Sequence, residues 1–343
     1  MQTRFTDSFA IQHPIVCAPM ALVTGGRLAA AVSSAGGLGV IGGGYAGVLG
    51  GEPDLAQELK HVRGHKFGIG FITWALERAP HVLDEVLEHS PHCVFLSFGD
   101  PRPFAQRIRR SGAMLICQVQ SLRHVTQAIE AGADVVVAQG SEAGGHGALR
   151  STLPFVPEVA DYLSDHAPGT LLLAAGGIAD GRGLAAALML GADGVVVGTR
   201  FWASEEALTP PGAVDRGRRA RGDDTVRTRV IDALRGVAWP AEFSLRVIRN
   251  QLTDTWSGRE ADAEAAFGSL AAAYAQARSR EDFDIVMAVA GECVGLIDDR
   301  PSAAHIVSAM VAQGEALLCR GAALDFGASR TSPPRGGSEP VSS

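Results

Sequence analysis

One of the ten histidines, His146, lies in a glycine-rich segment that reads QGSEAGGHG from residue 139 to residue 147. The apolar run Val135–Gln139 leads into this segment and is typical of a buried strand. An imidazole titrates near physiological pH, so it can remove a proton or donate a hydrogen bond. Most of the other histidines stand beside charged residues in predicted helices, where exposure to solvent explains them. We therefore expect His146 to be a catalytic residue on a flexible loop.

Two further apolar runs end in glycine turns. The first ends in Ala175-Gly176-Gly177 and the second in Gly198-Thr199. Glycines let backbone N–H groups approach an anion closely, and the N-terminus of a following helix adds a favourable dipole. The same glycines could also serve tight turns alone. Two such turns in consecutive units favour a phosphate site, although they do not identify the molecule that carries the phosphate.

Three other places are weaker candidates. The segment Ala18-Pro19-Met20 follows the first apolar run, and Met20 offers a polarizable surface suited either to a planar ring or to ordinary core filling. The amide of Gln118, near the end of the fifth run, could hydrogen-bond a heterocycle or a backbone group. Glu142 could hydrogen-bond a cofactor or be a solvated loop charge. The residues alone leave these alternatives open.

The elements that must position these residues are eight short apolar runs. They lie at residues 14–19, 38–43, 67–73, 93–98, 114–119, 135–139, 171–176 and 194–198. Nearly all precede a stretch with helical periodicity, which predicts parallel strands buried on both faces. Eight such units predict an α/β fold, the (β/α)8 TIM barrel, whose active site forms at the C-terminal ends of the strands. An open doubly wound sheet is the alternative, because strand runs alone do not prove closure.

The chain changes character after residue 204. Residues 1–204 carry the predicted barrel, and residues 205–327 are predicted to form a mainly helical appendage, which caps the substrate site and whose last helix packs on the barrel. Within the appendage, a charged segment at residues 215–229 is either an ordered lid or a solvated loop. Residues 328–343 are too rich in Ser, Pro and Gly to bury a core, so we expect a disordered tail.

Composition narrows the function classes. A net charge of −7 gives no basic surface for nucleic acid. The five cysteines lack CxxC spacing, so we expect neither disulfides nor a metal site. No apolar stretch has the length of a membrane span, and the first residues do not read as a signal peptide. These features predict a cytoplasmic enzyme without nucleic-acid or membrane partners.

Several segments together resemble the nitronate monooxygenase (2-nitropropane dioxygenase) family of FMN barrels. They are PIVCAPM at residues 14–20, AGGLG at 35–39, the His146 segment, AAGGIADGR at 174–182 and GADGVVVGTRF at 191–201. Residues 225–231, 239–240, 290–291 and 294–297 also resemble family members. The resemblance covers most of residues 10–320 and implies the same barrel fold.

The resemblance implies a noncovalently bound FMN. The glycine turns would hold its phosphate, the first and fifth strands would face its ring, and the His146 segment would border it. The cofactor contacts implied in this way are Gly176, Gly177, Gly198 and Thr199, then Ala18, Pro19, Met20 and Gln118, and then Glu142, Ala143, Gly144 and Gly145. His146 matches the catalytic histidine of the family.

In related enzymes the substrate is the anion of a nitroalkane, an alkyl nitronate such as propionate 3-nitronate. One electron passes to the flavin, the reduced flavin activates O2, and the products are a carbonyl compound and nitrite. The implied partners are therefore a small nitronate and O2, and a homodimer stays open. His146 either holds the nitronate when protonated or takes the α-proton from a neutral nitroalkane. The residues do not choose between these roles.

One position departs from the family pattern. Many relatives have an asparagine in the third-strand segment, where this chain reads FGIGF at residues 67–71 and places Gly70. A flavin or substrate contact of that amide is therefore missing here. Trp74, just beyond, is placed to reshape the pocket.

The closest alternative function keeps the fold and the flavin but changes the electron donor to NADH or NADPH, as in enoyl-acyl-carrier-protein and quinone reductases. An isomerase or aldolase barrel without flavin would need a lysine or paired carboxylates at the strand ends, which these strand ends do not clearly offer. A scaffold protein with a degenerate flavin site is disfavoured by the intact His146 segment.

Overall fold

A computed structural model of the chain describes residues 1–49 and 53–322. The strands are β1 (Ile15–Cys17), β2 (Gly39–Gly44), β3 (Phe67–Ile72), β4 (Cys93–Ser97), β5 (Met114–Val119), β6 (Val135–Gln139), β7 (Gly145–Gly147), β8 (Leu171–Ala175), β9 (Gly194–Val197), β10 (Thr225–Thr228) and β11 (Ser244–Ile248). The α-helices are α1 (Arg4–Phe9), α2 (Gly26–Ser34), α3 (Leu55–His61), α4 (Thr73–Leu76), α5 (His81–Leu87), α6 (Arg102–Arg110), α7 (Leu122–Ala131), α8 (Thr152–His166), α9 (Gly181–Met189), α10 (Thr199–Trp202), α11 (Pro211–Arg219), α12 (Val230–Leu234), α13 (Gln251–Trp256), α14 (Glu260–Ala265), α15 (Phe267–Ser279) and α16 (Ala303–Ala322). The predicted tail at residues 328–343 lies outside the described residues.

Eight parallel strands form one sheet in the order β1-β9-β8-β6-β5-β4-β3-β2. A parallel bridge between Val16 and Leu38 joins β1 to the residue before β2. The N–H of Cys17 donates to the carbonyl of Leu38 at 2.9 Å, and the N–H of Leu38 donates to the carbonyl of Ile15 at the same distance. These contacts close the ring of strands. The predicted (β/α)8 barrel is therefore confirmed, and the open sheet is excluded.

The barrel interior is a packed apolar core. Its buried strand residues are Val16, Leu38, Val40, Cys93, Phe95, Ile116, Val135, Val137, Leu171, Leu173, Ala175 and Val196. Phe5 and Phe9 of α1 belong to the same cluster and are fully buried. The ring of Phe9 contacts His92, which immediately precedes β4, so α1 covers the N-terminal ends of the strands. A site can therefore form only at the opposite end, where the strands finish.

A second, three-stranded antiparallel sheet has the order β10-β11-β7. Its strand β7 comes from the glycine-rich segment that follows β6, whereas β10 and β11 follow residue 204. The region after residue 204 is mainly helical, as predicted, but it also contributes these two strands. Residues 215–229 hold the end of α11, a 3-10 turn (Gly222–Asp224) and β10, so this charged segment is ordered secondary structure.

The last helix, α16, packs against α9 and α2 on the outside of the barrel. Met310 and Val307 are buried in that contact. The side-chain amide oxygen of Gln313 accepts the N–H of Gly181 at 2.7 Å, at the start of α9. The chain thus returns to the barrel after the second sheet. The sheet β10-β11-β7 joins segments from both sides of residue 204. The domain boundary predicted at that residue stays a prediction.

Among residues 1–49 and 53–322, no helix has the length and apolar character that crossing a membrane requires. The same residues contain no group of three His, Cys, Asp or Glu side chains arranged to hold a metal ion.

Candidate active site

A pocket opens at the C-terminal ends of the barrel strands. Every site residue predicted from the sequence lines it except Glu142: the lining includes His146, Ala18, Pro19, Met20, Gln118, Ala143, Gly144, Gly145, Gly176, Gly177, Gly198 and Thr199. These residues follow five different strands. The barrel therefore brings together side chains that are up to about 180 positions apart, as parallel strands ending at one face must do.

The two glycine turns present backbone N–H groups that lack acceptors. Gly176 and Gly177 have φ values of +104° and +74°, a conformation that suits glycine. The N–H groups of Gly176, Gly177, Gly198 and Thr199 make no hydrogen bond with a described residue. Thr199 is buried, Gly176 and Gly198 are half-buried, and Gly177 is exposed. Donors of this kind in one pocket wall fit a phosphate group, which supplies several acceptor oxygens.

The side chain of Thr199 adds to this phosphate cradle, by which we mean Gly176, Gly177, Gly198 and Thr199. Its hydroxyl oxygen accepts the N–H of Gly291 at 2.9 Å. That contact leaves the hydroxyl proton for an acceptor in the pocket. A Cβ on Gly198 would lie 3.6 Å from the sulfur of Met20, so the cradle adjoins the apolar part of the pocket.

The pocket is apolar beside the first strand. The hydroxyl of Thr24 donates to the carbonyl of Ala18 at 2.8 Å, which fixes the turn that carries Pro19 and Met20. A Cβ placed on Gly70 would lie 2.3 Å from the Cβ of Pro19. A side chain at position 70 would therefore displace Pro19. The absence of a side chain at Gly70 therefore allows β3 to approach Pro19 closely.

Gln118 and Glu142 have different surroundings. Gln118 lines the pocket from β5, and its side-chain amide makes no hydrogen bond with a described residue, so it is available to a heterocycle. The carboxylate of Glu142 accepts the backbone N–H of Thr152 at 3.0 Å and its hydroxyl at 2.8 Å. A carboxylate at the first residue of α8 stabilises that helix through its unpaired N–H groups. The cofactor contact predicted for Glu142 stays a prediction.

The imidazole of His146 is held by two residues from beyond residue 204. Its Nε2 lies 2.9 Å from Oδ2 of Asp232 on α12. Its ring stacks on the indole of Trp239, with ring centroids 3.4 Å apart and an interplanar angle of 10°. A carboxylate can only accept, so Nε2 carries the proton of this hydrogen bond. Nδ1 is then the basic nitrogen of the neutral ring, and no described residue hydrogen-bonds to it.

Burial lowers the pKa of His146 below its ordinary value of 6.5, and the positive charges of Arg235 and Arg227 act in the same direction. The hydrogen bond and charge of Asp232 raise the pKa, but they do not outweigh the loss of hydration. The imidazole is therefore neutral at neutral pH in the free protein. A neutral imidazole that is fixed by a carboxylate can accept a proton at Nδ1.

A model of the nitronate monooxygenase family matches residues 2–66 and 74–313 of the chain. The chain belongs to this family. The match includes the phosphate cradle, His146, Asp232 and Trp239. It is interrupted between residues 67 and 73, where β3 carries Gly70 against Pro19. The resemblance seen in the sequence is thus confirmed.

Individual relatives agree with the family. The chain is 40% identical to the nitronate monooxygenase npaC of Metarhizium robertsii over 282 residues, which are 73% of this chain and 75% of that protein. It is 33% identical to a nitronate monooxygenase of Neurospora crassa over 332 residues, 85% of this chain and 86% of that protein. The solved structure of FabK from Thermotoga maritima superimposes with a TM-score of 0.80 at 29% identity, covering 94% of this chain and 99% of that one.

In this nitronate monooxygenase family member, the His146 segment is an ordered strand, so the predicted flexible loop is wrong. Leu245 of β11 pairs with His146 in β7. Gln139 donates from its side-chain amide to the carbonyl of His146 at 3.1 Å. Antiparallel pairing fixes the direction of each side chain. The strand therefore aims His146 at one side of the barrel mouth.

Two arginines anchor the same segment. Arg227 donates to the carbonyls of Ser141 at 3.0 Å and Gly147 at 3.2 Å. Arg246 donates to the carbonyl of Ser141 at 3.0 Å and pairs with Glu292 at 2.8 Å. Burial lowers the pKa of Arg227 to about 10, so the guanidinium stays charged at neutral pH. These charge-assisted hydrogen bonds to backbone carbonyls fix the segment that carries His146.

An aromatic wall packs beside the pocket at the ends of β2, β3 and β4, and three of its rings, Tyr45, Phe98 and Trp239, line the pocket. This aromatic wall consists of Tyr45, Trp74, Phe98, Trp239 and Phe243. The indole N–H of Trp239 donates to the hydroxyl oxygen of Tyr45 at 3.2 Å. Phe98 has a φ of +63°, which costs an aromatic residue about 1–3 kcal/mol. The wall holds Phe98 in this conformation and fixes the indole under His146.

Sequence reasoning missed Asp232, Arg235 and Trp239. Asp232 is the single charge within the apolar run of α12, and its side chain is only 5% exposed. A buried carboxylate inside an apolar turn is a signal for a buried partner. Trp239 lies in a segment that resembled the family, but nothing local linked it to His146. Arg235 follows α12 directly and lines the pocket.

Proposed function

We propose that the protein is an FMN-dependent nitronate monooxygenase that oxidises alkyl nitronates, such as propionate 3-nitronate, with O2 to a carbonyl compound and nitrite. The observation that carries the proposal is the placement of His146, fixed by Asp232, in the same pocket as the phosphate cradle. Membership of the nitronate monooxygenase family supports it.

The cradle residues Gly176, Gly177, Gly198 and Thr199 would hold the FMN phosphate. Ala18, Pro19 and Met20 would face the ring, and the free amide of Gln118 would hydrogen-bond it. The chemistry that FMN supplies when bound is one-electron oxidation of the nitronate and delivery of the electron to O2. The apolar lining and the aromatic wall exclude water from that chemistry.

His146 acts in this proposal as the base that takes the α-proton of a neutral nitroalkane and so generates in the pocket the nitronate that is then oxidised. Its neutral state at neutral pH and the free Nδ1 favour this role over the binding of a nitronate by an imidazolium. Asp232 fixes the tautomer, because its carboxylate accepts from Nε2. It also stabilises the imidazolium that forms when Nδ1 takes the proton. Trp239 prevents the ring from tilting away.

One observation favours a second candidate. The structural likeness to FabK from Thermotoga maritima extends over 94% of this chain. An NAD(P)H-dependent FMN reductase would use the same cradle and the same histidine, and only the electron donor would differ. The donor therefore decides between the two candidates.

The test is anaerobic reduction of the purified yellow protein. We expect propionate 3-nitronate to bleach the flavin absorbance rapidly and NADH or NADPH to leave it unchanged. Rapid bleaching by NADH and none by a panel of nitronates would establish the reductase instead. A colourless protein that does not take up FMN would exclude both candidates.

A further inference from the structure

Arg235 carries the one permanent charge among the described residues that line the pocket. The rest of the lining is apolar, aromatic or neutral and polar, apart from His146. Arg235 caps the C-terminal end of α12, three residues after Asp232. Its positive charge lowers the pKa of His146, as the charge of Arg227 also does.

The guanidinium of Arg235 lies 5.6 Å from the centre of the Tyr45 ring. No carboxylate among the described residues lies within 4.0 Å of it. Two other arginines near the site have an acidic partner, Arg200 with Asp299 and Arg246 with Glu292, whereas Arg227 donates to backbone carbonyls. Arg235 is half-buried at the pocket wall and hydrogen-bonds the Tyr45 side chain, which leaves N–H donors of its guanidinium for an anion in the pocket.

That anion is not the cofactor phosphate in the proposed arrangement. The cradle follows β8 and β9, whereas Tyr45 directly follows β2. In the closed barrel, β2 is two strands away from β9 and three strands away from β8. Arg235 therefore lies on the aromatic-wall side of the mouth, together with His146 and Trp239, where the substrate must lie to reach the base.

We propose that Arg235 binds a carboxylate of the substrate, at the end remote from the nitro group, and so selects carboxylated nitro compounds over neutral alkyl ones. The inference rests on the proposed function, because it assigns the two ends of the substrate to His146 and Arg235. A guanidinium offers two parallel N–H donors that match the two oxygens of a carboxylate. Its aromatic neighbours exclude water and strengthen the pair.

The test compares two substrates of equal shape in wild type, Arg235→Met and Arg235→Lys. Propionate 3-nitronate carries the carboxylate, and 3-methylbutyl-1-nitronate carries an isopropyl group in its place. We expect Arg235→Met to lower kcat/KM for the first substrate by about 10- to 100-fold, mostly through KM, and for the second by less than about threefold. Arg235→Lys should recover part of the loss, because a lysine keeps the charge but not the paired donors.

Arg249→Met is the matched control, because it removes an exposed arginine of the same region that pairs with Asp254. It should leave the ratio of the kcat/KM values for the two substrates unchanged. Equal losses for both substrates in Arg235→Met would place Arg235 at the nitronate or in the fold, and would overturn the carboxylate assignment. Unchanged kinetics would overturn it as well.

A binding measurement keeps this inference separate from the proposed reaction. Succinate is an unreactive dianion of the same length as propionate 3-nitronate, and succinamide is its neutral counterpart. Titrated into wild type, succinate should bind at least about tenfold more tightly than into Arg235→Met, whereas succinamide should bind both alike. If wild type oxidises no nitronate, the proposed function fails while this comparison still tests the site. Equal succinate affinity in both proteins rejects it.

Discussion

The Nε2 atom of His146 lies 2.9 Å from Oδ2 of Asp232, although the two residues are 86 positions apart in the chain. The histidine comes from the segment after β6 of the barrel, and the aspartate comes from α12. The side chain of Asp232 is buried and that of His146 is 9% exposed, and the hydrogen bond joins the two. The proposed base is therefore built jointly by the barrel and by the chain that follows it.

Replacement of His146 by Asn should remove the base and leave the cofactor site intact. We expect kcat/KM for a neutral nitroalkane to fall by about 100- to 10,000-fold, which is the usual contribution of a general base. FMN content, measured from the absorbance of released flavin, should match wild type because the cradle lies on β8 and β9. Near-normal turnover in this variant would remove His146 from the role of base.

Replacement of Asp232 by Asn should weaken the base without deleting it. An amide cannot stabilise an imidazolium as a carboxylate does, so we expect a loss of about 10- to 100-fold with a neutral nitroalkane. A preformed nitronate needs no proton removal, and its oxidation should fall much less. The measurement is the loss of kcat/KM in this variant with the neutral nitroalkane, compared with its loss with the preformed nitronate. An equal loss with both would indicate that Asp232 serves only the fold.

The pH dependence with a neutral nitroalkane follows from the protonation of His146. Burial places its pKa below the ordinary value of 6.5, and the neutral form is the active one. Activity should therefore be constant at neutral and higher pH and decline as the pH falls through the lowered pKa. The pH profile of kcat/KM shows whether activity declines toward acidic pH, as expected. A decline that begins well above pH 7 would require a different titrating group.

Replacement of Gly177 by Ala should weaken FMN binding. The φ of +74° at this position costs an alanine about 1–2 kcal/mol, although the nearest atom to the new Cβ, on Glu142, is 3.5 Å away. We expect the Kd for FMN to rise about tenfold, measured by fluorescence titration of the apoprotein. Gly169→Ala is the control, because no described heavy atom lies within 4 Å of its Cβ. Equal affinities in the two variants would contradict the cradle.

The barrel could be predicted because each of its strands leaves a recognisable pattern within a short stretch of sequence. A parallel strand such as Leu171–Ala175 is buried on both faces and reads as a continuous apolar run. The glycines and His146 stood out by their residue types at the ends of such runs. The predicted strands at all eight barrel positions are confirmed.

The second sheet could not be predicted in the same way. Strand β7 has three residues, two of them glycine, and its pairing with β11 joins segments about 100 positions apart. Such pairing leaves no periodic pattern in a short glycine-rich segment. Asp232 and Trp239 were hidden for the same reason, because their partner His146 is distant in sequence. Long-range contacts, rather than residue types, assemble this half of the site.

The sheet β10-β11-β7 also determines when, during synthesis, the protein can acquire its activity. When the eight barrel strands have left the ribosome, α12 and β11 have not yet emerged from it. The segment that carries His146 then has neither its neighbouring strand nor its carboxylate. The nascent barrel can therefore close well before it acquires a working base, and activity follows translation of the final third of the chain.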